Sequence, residues 1–190
     1  MTWIIVLVVV VLLVIWYVAI YNGLINLRTH AQESWRQIDV QLQRRNDLIP
    51  NLVSTVKGYS NYEAQTLEKV VDLRSKINSL PDNAHQEKMA ASDQLTGALN
   101  HLFAVSESYP DLKASTEFSQ LMEELTNTEN KIAYSRQLYN STVASFDAKI
   151  QTFPANIVAG IHHFTAMEYL KVPESAKETP KVDFSDLQQK

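Results

Sequence analysis

Between Trp3 and Ile20 the chain runs through eighteen residues that are almost all Val, Ile, Leu, Ala or aromatic, and its first charged side chain is Arg28. Coiled as a helix at about 1.5 Å per residue, this run is roughly 27 Å long, close to the hydrocarbon thickness of a bilayer. Trp3 stands at one end and Trp16, Tyr17 and Tyr21 at the other, where amphipathic rings favour the headgroup level. A cleaved secretion signal would carry a basic start, a shorter apolar run and small residues before the cut. The run has none of these, so the sequence predicts an uncleaved, single-pass membrane anchor over residues 1–22. Arg28, Arg36, Arg44 and Arg45 follow it, and basic residues gathered on one flank place that flank on the cytoplasmic side. The expected location is the cell (inner) membrane with the bulk of the chain in the cytoplasm, an extracytoplasmic or periplasmic placement being the alternative. The chain has no cysteine, which excludes disulfides and thiolate metal sites but suits either face of a membrane.

Residues 23–172 are enough for one domain with one core. The chain has only four glycines and six prolines, and no stretch outside the anchor alternates apolar and polar residues between turn signals. Long helices are the expectation, and the fold class is all-α. Phe118, Leu125, Ile132, Tyr139, Phe146 and Phe153 recur every seven residues from Leu112 to Phe153. Leu121, Thr128, Ser135, Val143 and Ile150 occupy the companion spacings, giving one apolar face with two small polar slots. This predicts a core helix of about 40 residues, roughly 60 Å long, in preference to an intermolecular coiled coil. The architecture expected is an N-terminal transmembrane helix continuous with a long antiparallel helical bundle of four-helix type.

Leu24, Leu27, Ala31, Trp35, Ile38 and Leu42 keep helical spacing directly after the anchor, so the anchor helix should run straight into the domain. Pro50 lacks a backbone donor and crowds the carbonyl four residues earlier, while Asn46 or Asp47 can cap a new start, so a kink or break is expected there. A second segment follows, with Leu52, Val53, Val56, Tyr59, Leu67, Val70, Val71 and Ile77 as its core face, ending at Leu80-Pro81-Asp82-Asn83. A third spans Ala84 to Glu107, and Tyr109-Pro110-Asp111-Leu112 turns into the long helix. Ile157 to Leu170 reads as a closing helix. Residues 173–190 carry too little apolar surface to order themselves, which predicts a disordered tail.

The run WRQIDVQLQRRNDLIPNLVSTVKGY from Trp35 to Tyr59, FAVSESYPDLKAS from Phe103 to Ser115, and the later TENKIAYSRQLYN and FPANIVAG closely resemble the LemA family. The four blocks occur in the family's order. The resemblance implies a membrane helix followed by a helical bundle and implies no reaction. One member of that family works in magnetosome formation, which makes membrane-associated scaffolding an expectation. The family's domain commonly closes near a Tyr-Phe pair, where this chain reads Glu168-Tyr169-Leu170-Lys171.

Catalytic signals are missing. The histidines do not form the His/carboxylate pattern of metal-bridged bundles, His30 with Glu33 being the one close His/Glu pair at helical spacing, and no His-Glu-x-x-His, Gly-x-Ser-x-Gly or Gly-rich phosphate loop occurs. The expectation is a protein that is not an enzyme, with no cofactor and no small-molecule substrate. A net charge of −4 and the lone pair Arg44-Arg45 give no nucleic-acid surface. Polar residues within the family-like blocks are the candidate site: Trp35, Asp39, Arg44, Arg45, Asp47, Glu107, Glu129 and Asn130. In one reading Arg44 or Arg45 pairs with Glu107 or Glu129 across helices and fixes their register. In the other, Trp35 and Arg45 face a protein partner, being residue types enriched at binding hot spots. The function expected is a membrane-anchored scaffold or adaptor whose partners are the lipid bilayer and either another membrane protein or copies of itself. The alternative is a regulatory or signalling subunit of a membrane protease or kinase, docking through Val182-Asp183-Phe184 in the tail.

Overall fold

The computed structural model describes residues 1–58 and 64–171. Its elements are α1 (Thr2–Lys57), α2 (Ala64–Ser79), α3 (His85–Ser106), α4 (Pro110–Lys113), α5 (Thr116–Gln151) and α6 (Ala155–Ile161). The fold is all-α, with no strand among the described residues. Tyr59, the tail 173–190 and its Val182-Asp183-Phe184 motif lie outside those residues.

One helix of 56 residues carries the whole N-terminal third of the molecule, about 84 Å from end to end. Its most apolar eighteen-residue window has a mean hydropathy of 3.2 and buries nothing, so it is long and apolar enough to cross a membrane. Every residue from Met1 to Trp16 is exposed, and the first buried position is Leu24. From there Ala31, Trp35, Ile38, Leu42, Ile49, Leu52 and Val56 are buried at helical spacing and form the face that meets the other helices.

The expected break at Asn46–Pro50 is absent, and α1 continues through Pro50. A proline inside a helix costs about 3 kcal/mol, partly because the carbonyl four residues back loses its donor. That carbonyl belongs to Asn46, and it accepts a hydrogen bond from Arg74 Nε of α2 at 2.9 Å. The proline ring lies on the exposed face, where it displaces no neighbour. Asn46 does not cap a new helix; it is buried, and its Nδ2 donates to Asn78 Oδ1 of α2 at 2.8 Å.

Side-chain pairs set the helix directions. Arg45 of α1 meets Glu129 of α5, and the Leu24 end of α1 lies beside Ile150, so α1 and α5 run antiparallel. Asp39 meets Lys88 and Arg45 meets Ser92, so α3 runs parallel to α1, while α2 returns between them. α5 starts at Ser115, whose hydroxyl accepts the Phe118 amide at 3.3 Å, with Glu117 in the first turn. Phe118, Leu125, Ile132, Tyr139 and Phe146 are all buried in this helix. Phe153 is 79 % exposed instead. The helix ends at Gln151 and Thr152 is extended, so the seven-residue phase no longer governs where Phe153 points. On α2, Val71 faces solvent and Leu73 takes the buried place.

The closing helix is also shorter than expected. It stops at Ile161, and the chain from Phe164 runs back along α5 without helical structure. Polar side chains of α5 hold this strap: Asp147 accepts from the Met167 amide at 3.0 Å, and Asn140 both accepts from the Leu170 amide and donates to its carbonyl at 2.9 Å. Tyr139 donates to the Glu168 carbonyl at 3.1 Å. These bonds supply backbone partners that a helix would otherwise have provided.

Candidate functional site

Arg45 is the largest fully buried side chain among the described residues, 1 % exposed, at the level where α1, α3 and α5 meet. Its Nη1 donates to Glu129 and, at 2.9 Å, to Thr96 Oγ1; its Nη2 donates to the Ser92 hydroxyl and, at 3.1 Å, to the Ser92 carbonyl. Thr96 is also within hydrogen-bond distance of Glu129, at 2.9 Å. Nε has no protein partner. The planar guanidinium thus engages two other helices with four of its five donors, a geometry an ammonium could not reproduce. Burial lowers the Arg45 pKa from its ordinary value and the charges of Glu129 and Asp93 oppose that shift. An arginine at such a height on the scale stays charged regardless. The layer is extended by Arg136 of α5 paired with Asp93 of α3.

About two to three turns nearer the N-terminal end of α1 the character changes. Trp35 stacks on His85 with ring centroids 3.8 Å apart, and Tyr139 meets Trp35 edge-on at 6.0 Å. Lys88 is buried between Asp39 and Asp82, each at 3.2 Å. Its own burial acts to lower its pKa, but hydrogen bonds to the two carboxylates outweigh this and raise it. Burial, then the Lys88 charge, lowers the pKa of His85, so the imidazole against Trp35 favours the neutral form. Burial, then Glu168 and Asp147, raises that of Tyr139.

The eight sequence candidates therefore separate. Arg45 and Glu129 meet directly, and Asn130 beside them lines both the small cavity next to Arg45 and the groove outside it. Trp35 and Arg45 are buried within the chain and neither faces outward. Asp39 meets Lys88 rather than an arginine. Arg44 reaches Glu124, at 2.6 Å, on the surface. Asp47 accepts from Gln43 one turn earlier on α1, at 2.8 Å. Glu107 is away from the layer and pairs with Lys113 at the end of the short helix α4.

Outside the buried layer, α1 and α5 leave a groove of about 790 Å³. Arg44 and Glu124 line it with Asn130, and Val40 and Tyr134 present apolar surface there at 62 % and 68 % exposure. Sequence reasoning did not single out Val40, Tyr134, Ser92 or Thr96. Val40 and Tyr134 carried a signal: both are large apolar residues off the buried spacing of their helices. No group of three or more His, Asp or Glu side chains able to hold a metal occurs among the described residues. The site's capacity is geometric, a pinned helix layer with an open groove over it.

The sequence model of the LemA family matches residues 34–184. A LemA protein of Metamycoplasma hominis is 33 % identical over 145 residues, covering 75 % of this chain and 65 % of that relative. The magnetosome protein MamQ of Magnetospirillum gryphiswaldense is 24 % identical over 184 residues, covering 84 % of this chain and 67 % of its own length. MamQ 2 of Paramagnetospirillum magneticum matches with the same identity and coverage. The chain thus spans about two thirds of the length of these relatives, just under it for the mycoplasma protein.

Proposed function

The chain belongs to the LemA family, and from that membership we propose that it is a membrane-anchored helical scaffold or adaptor with no chemistry of its own. The observation that carries this reading is the continuity of α1 from Thr2 to Lys57. The uncharged first part of that helix is the proposed membrane span, with the domain in the cytoplasm by the bias of Arg28, Arg36, Arg44 and Arg45. Its second part is one wall of a bundle of four helices, α1, α2, α3 and α5. A helix common to both holds the bundle at a fixed attitude to the bilayer. The α1/α5 groove then faces a neighbour, either another membrane protein or a second copy. The buried Arg45 layer serves the scaffold by register: helices that slid past one another would leave its guanidinium unpaired in the interior. Two relatives are named as magnetosome proteins, a name that specifies no reaction.

Photocrosslinking in intact membranes tests the proposal. A photoreactive residue at Val40 or Tyr134 is expected to capture a defined partner, and one at Glu107 to capture none. Flexible residues inserted between Asn22 and Gly23 should abolish that capture while the bundle remains folded. Absence of capture at both groove positions contradicts the scaffold reading, and capture that survives the insertion contradicts rigid coupling.

A further inference from the structure

The two longest stretches without Asp, Glu, Lys or Arg are residues 1–27 and 150–167. They are distant in sequence and meet at one end of the molecule. Val158 and Ala159 of α6 cover Leu24 of α1, and Tyr17, Ile20, Tyr21, Ile150 and Phe164 close around that contact. The Tyr17 hydroxyl and His162 Nε2 are 2.7 Å apart, and the His162 ring lies 4.5 Å from that of Tyr21. α6 is therefore fastened to the last turns of the proposed span.

Its depth follows from the helix rise. A hydrocarbon core of about 30 Å takes up about 20 residues of helix, so a span entering near Trp3 leaves near Asn22. Side chains lodged against Tyr17 to Leu24 lie where α1 passes out of the hydrocarbon, and lipid that surrounds α1 at that depth surrounds them too. The face that α6 turns away from α1 suits this place. Ala155, Val158 and Ala159 point inward, while Ile157 and Ile161, four residues apart on α6, are 55 % and 58 % exposed, and Phe153, in the turn just before the helix, is 79 % exposed. No formal charge lies on either side of this stripe until Lys149 and Glu168. Tyr17, Tyr21 and His162 give the polar-tipped rings that favour the headgroup boundary.

We infer that α6 is a second membrane contact, with Phe153, Ile157 and Ile161 inserted among the lipids of the leaflet from which α1 emerges. The inference rests on the membrane reading of α1. A short apolar face of this kind lies in the interface rather than across it. Paired with the span, it gives the domain two points of attachment and so restrains both tilt and rotation about the α1 axis.

The absence of cysteine makes single-cysteine labelling direct. The full chain carrying Ile157→Cys, Ile161→Cys, Val9→Cys or Tyr134→Cys is labelled with an environment-sensitive fluorophore and reconstituted in phosphatidylcholine–phosphatidylglycerol vesicles. Quenching by nitroxide lipids is compared with quenching by aqueous iodide. Labels at 157 and 161 are expected to respond to the lipid quencher and resist iodide, as the label at 9 does, with the label at 134 showing the reverse. Labels at 157 and 161 that behave like 134, with 9 still lipid-quenched, overturn the α6 contact and leave the span intact. Iodide access at 9 overturns the span and the contact together. Shielding of 157 from both quenchers, with disulfide-linked dimers of Ile157→Cys, assigns the stripe to a second copy and overturns the inference.

Discussion

Residues 2–23 and 24–57 belong to one helix and are built under different rules. The first part holds no charge and no fully buried side chain, only its last turns, at Tyr17, Ile20 and Tyr21, being partly covered by the region of α6. Its backbone bonds are satisfied within the helix, as a bilayer requires, and its composition matters more than the place of any one residue. In the second part position decides. Arg45 and Asn46, costly to bury unpaired, sit where Glu129, Ser92 and Thr96 take four of the five guanidinium donors and Asn78 accepts from the Asn46 amide. On the proposed membrane reading, a helix that joins two solvents need not change its backbone at the border. It changes what its side chains must find.

The largest effect expected in the second part comes from removing the partner of a buried charge. Glu129→Ala strands the Arg45 guanidinium and should destabilise the domain by about 3–5 kcal/mol in denaturant unfolding. Arg45→Met leaves Glu129, whose side chain is 36 % exposed and can be hydrated, so its cost should be smaller, about 1–2 kcal/mol. Equal losses in the two variants would show that the layer is not asymmetric in the way burial implies. Next comes the carbonyl released by Pro50. Arg74→Met should cost about 2 kcal/mol by removing a hydrogen bond from a charged donor, and the loss should vanish in a Pro50→Ala background, where the Asn46 carbonyl regains its helical donor. A full loss in both backgrounds would detach Arg74 from the proline.

A smaller effect concerns pH. The folded chain holds His85 below its ordinary value of 6.5, so beneath that value the unfolded chain takes up a proton that the folded chain resists. Stability from this group is present above about pH 6.5 and is lost as the pH falls through the folded value. Melting between about pH 7 and pH 5 should therefore decline less in His85→Phe, which keeps a ring against Trp35, than in the parent. An identical decline would remove His85 from the acid response. Smallest of all, Val9→Ala in the first part should leave unfolding of the domain within about 0.5 kcal/mol of the parent.

Legibility in the sequence followed the same division. The apolar run and the α5 repeat were plain because large residues recur on one period, and that period held from Phe118 to Phe146. It misled at Phe153 because the end of a helix is set by local backbone geometry that the repeat does not encode. Continuity through Pro50 was hidden because the compensating donor, Arg74, sits on another helix. The strap after Phe164 was hidden for a related reason: it has no periodicity of its own and depends on Asn140 and Asp147 of α5. Within the candidate site, Arg45 with Glu129 is one of the pairings the sequence allows. Glu107 was indistinguishable from Glu129 in sequence, and only the packing sends it to Lys113.

The proposed scaffold requires α1 to be one rigid rod from the apolar N-terminal run to the domain. Spin labels at Val9→Cys and Val40→Cys, both exposed positions, measure it directly by pulsed dipolar spectroscopy in lipid nanodiscs. An unbroken helix places the two backbones about 46 Å apart, and a rigid α1 gives a single narrow distance distribution near that value. A broad distribution, or one centred well below it, would show that the helix bends or melts between membrane and domain and would contradict the account.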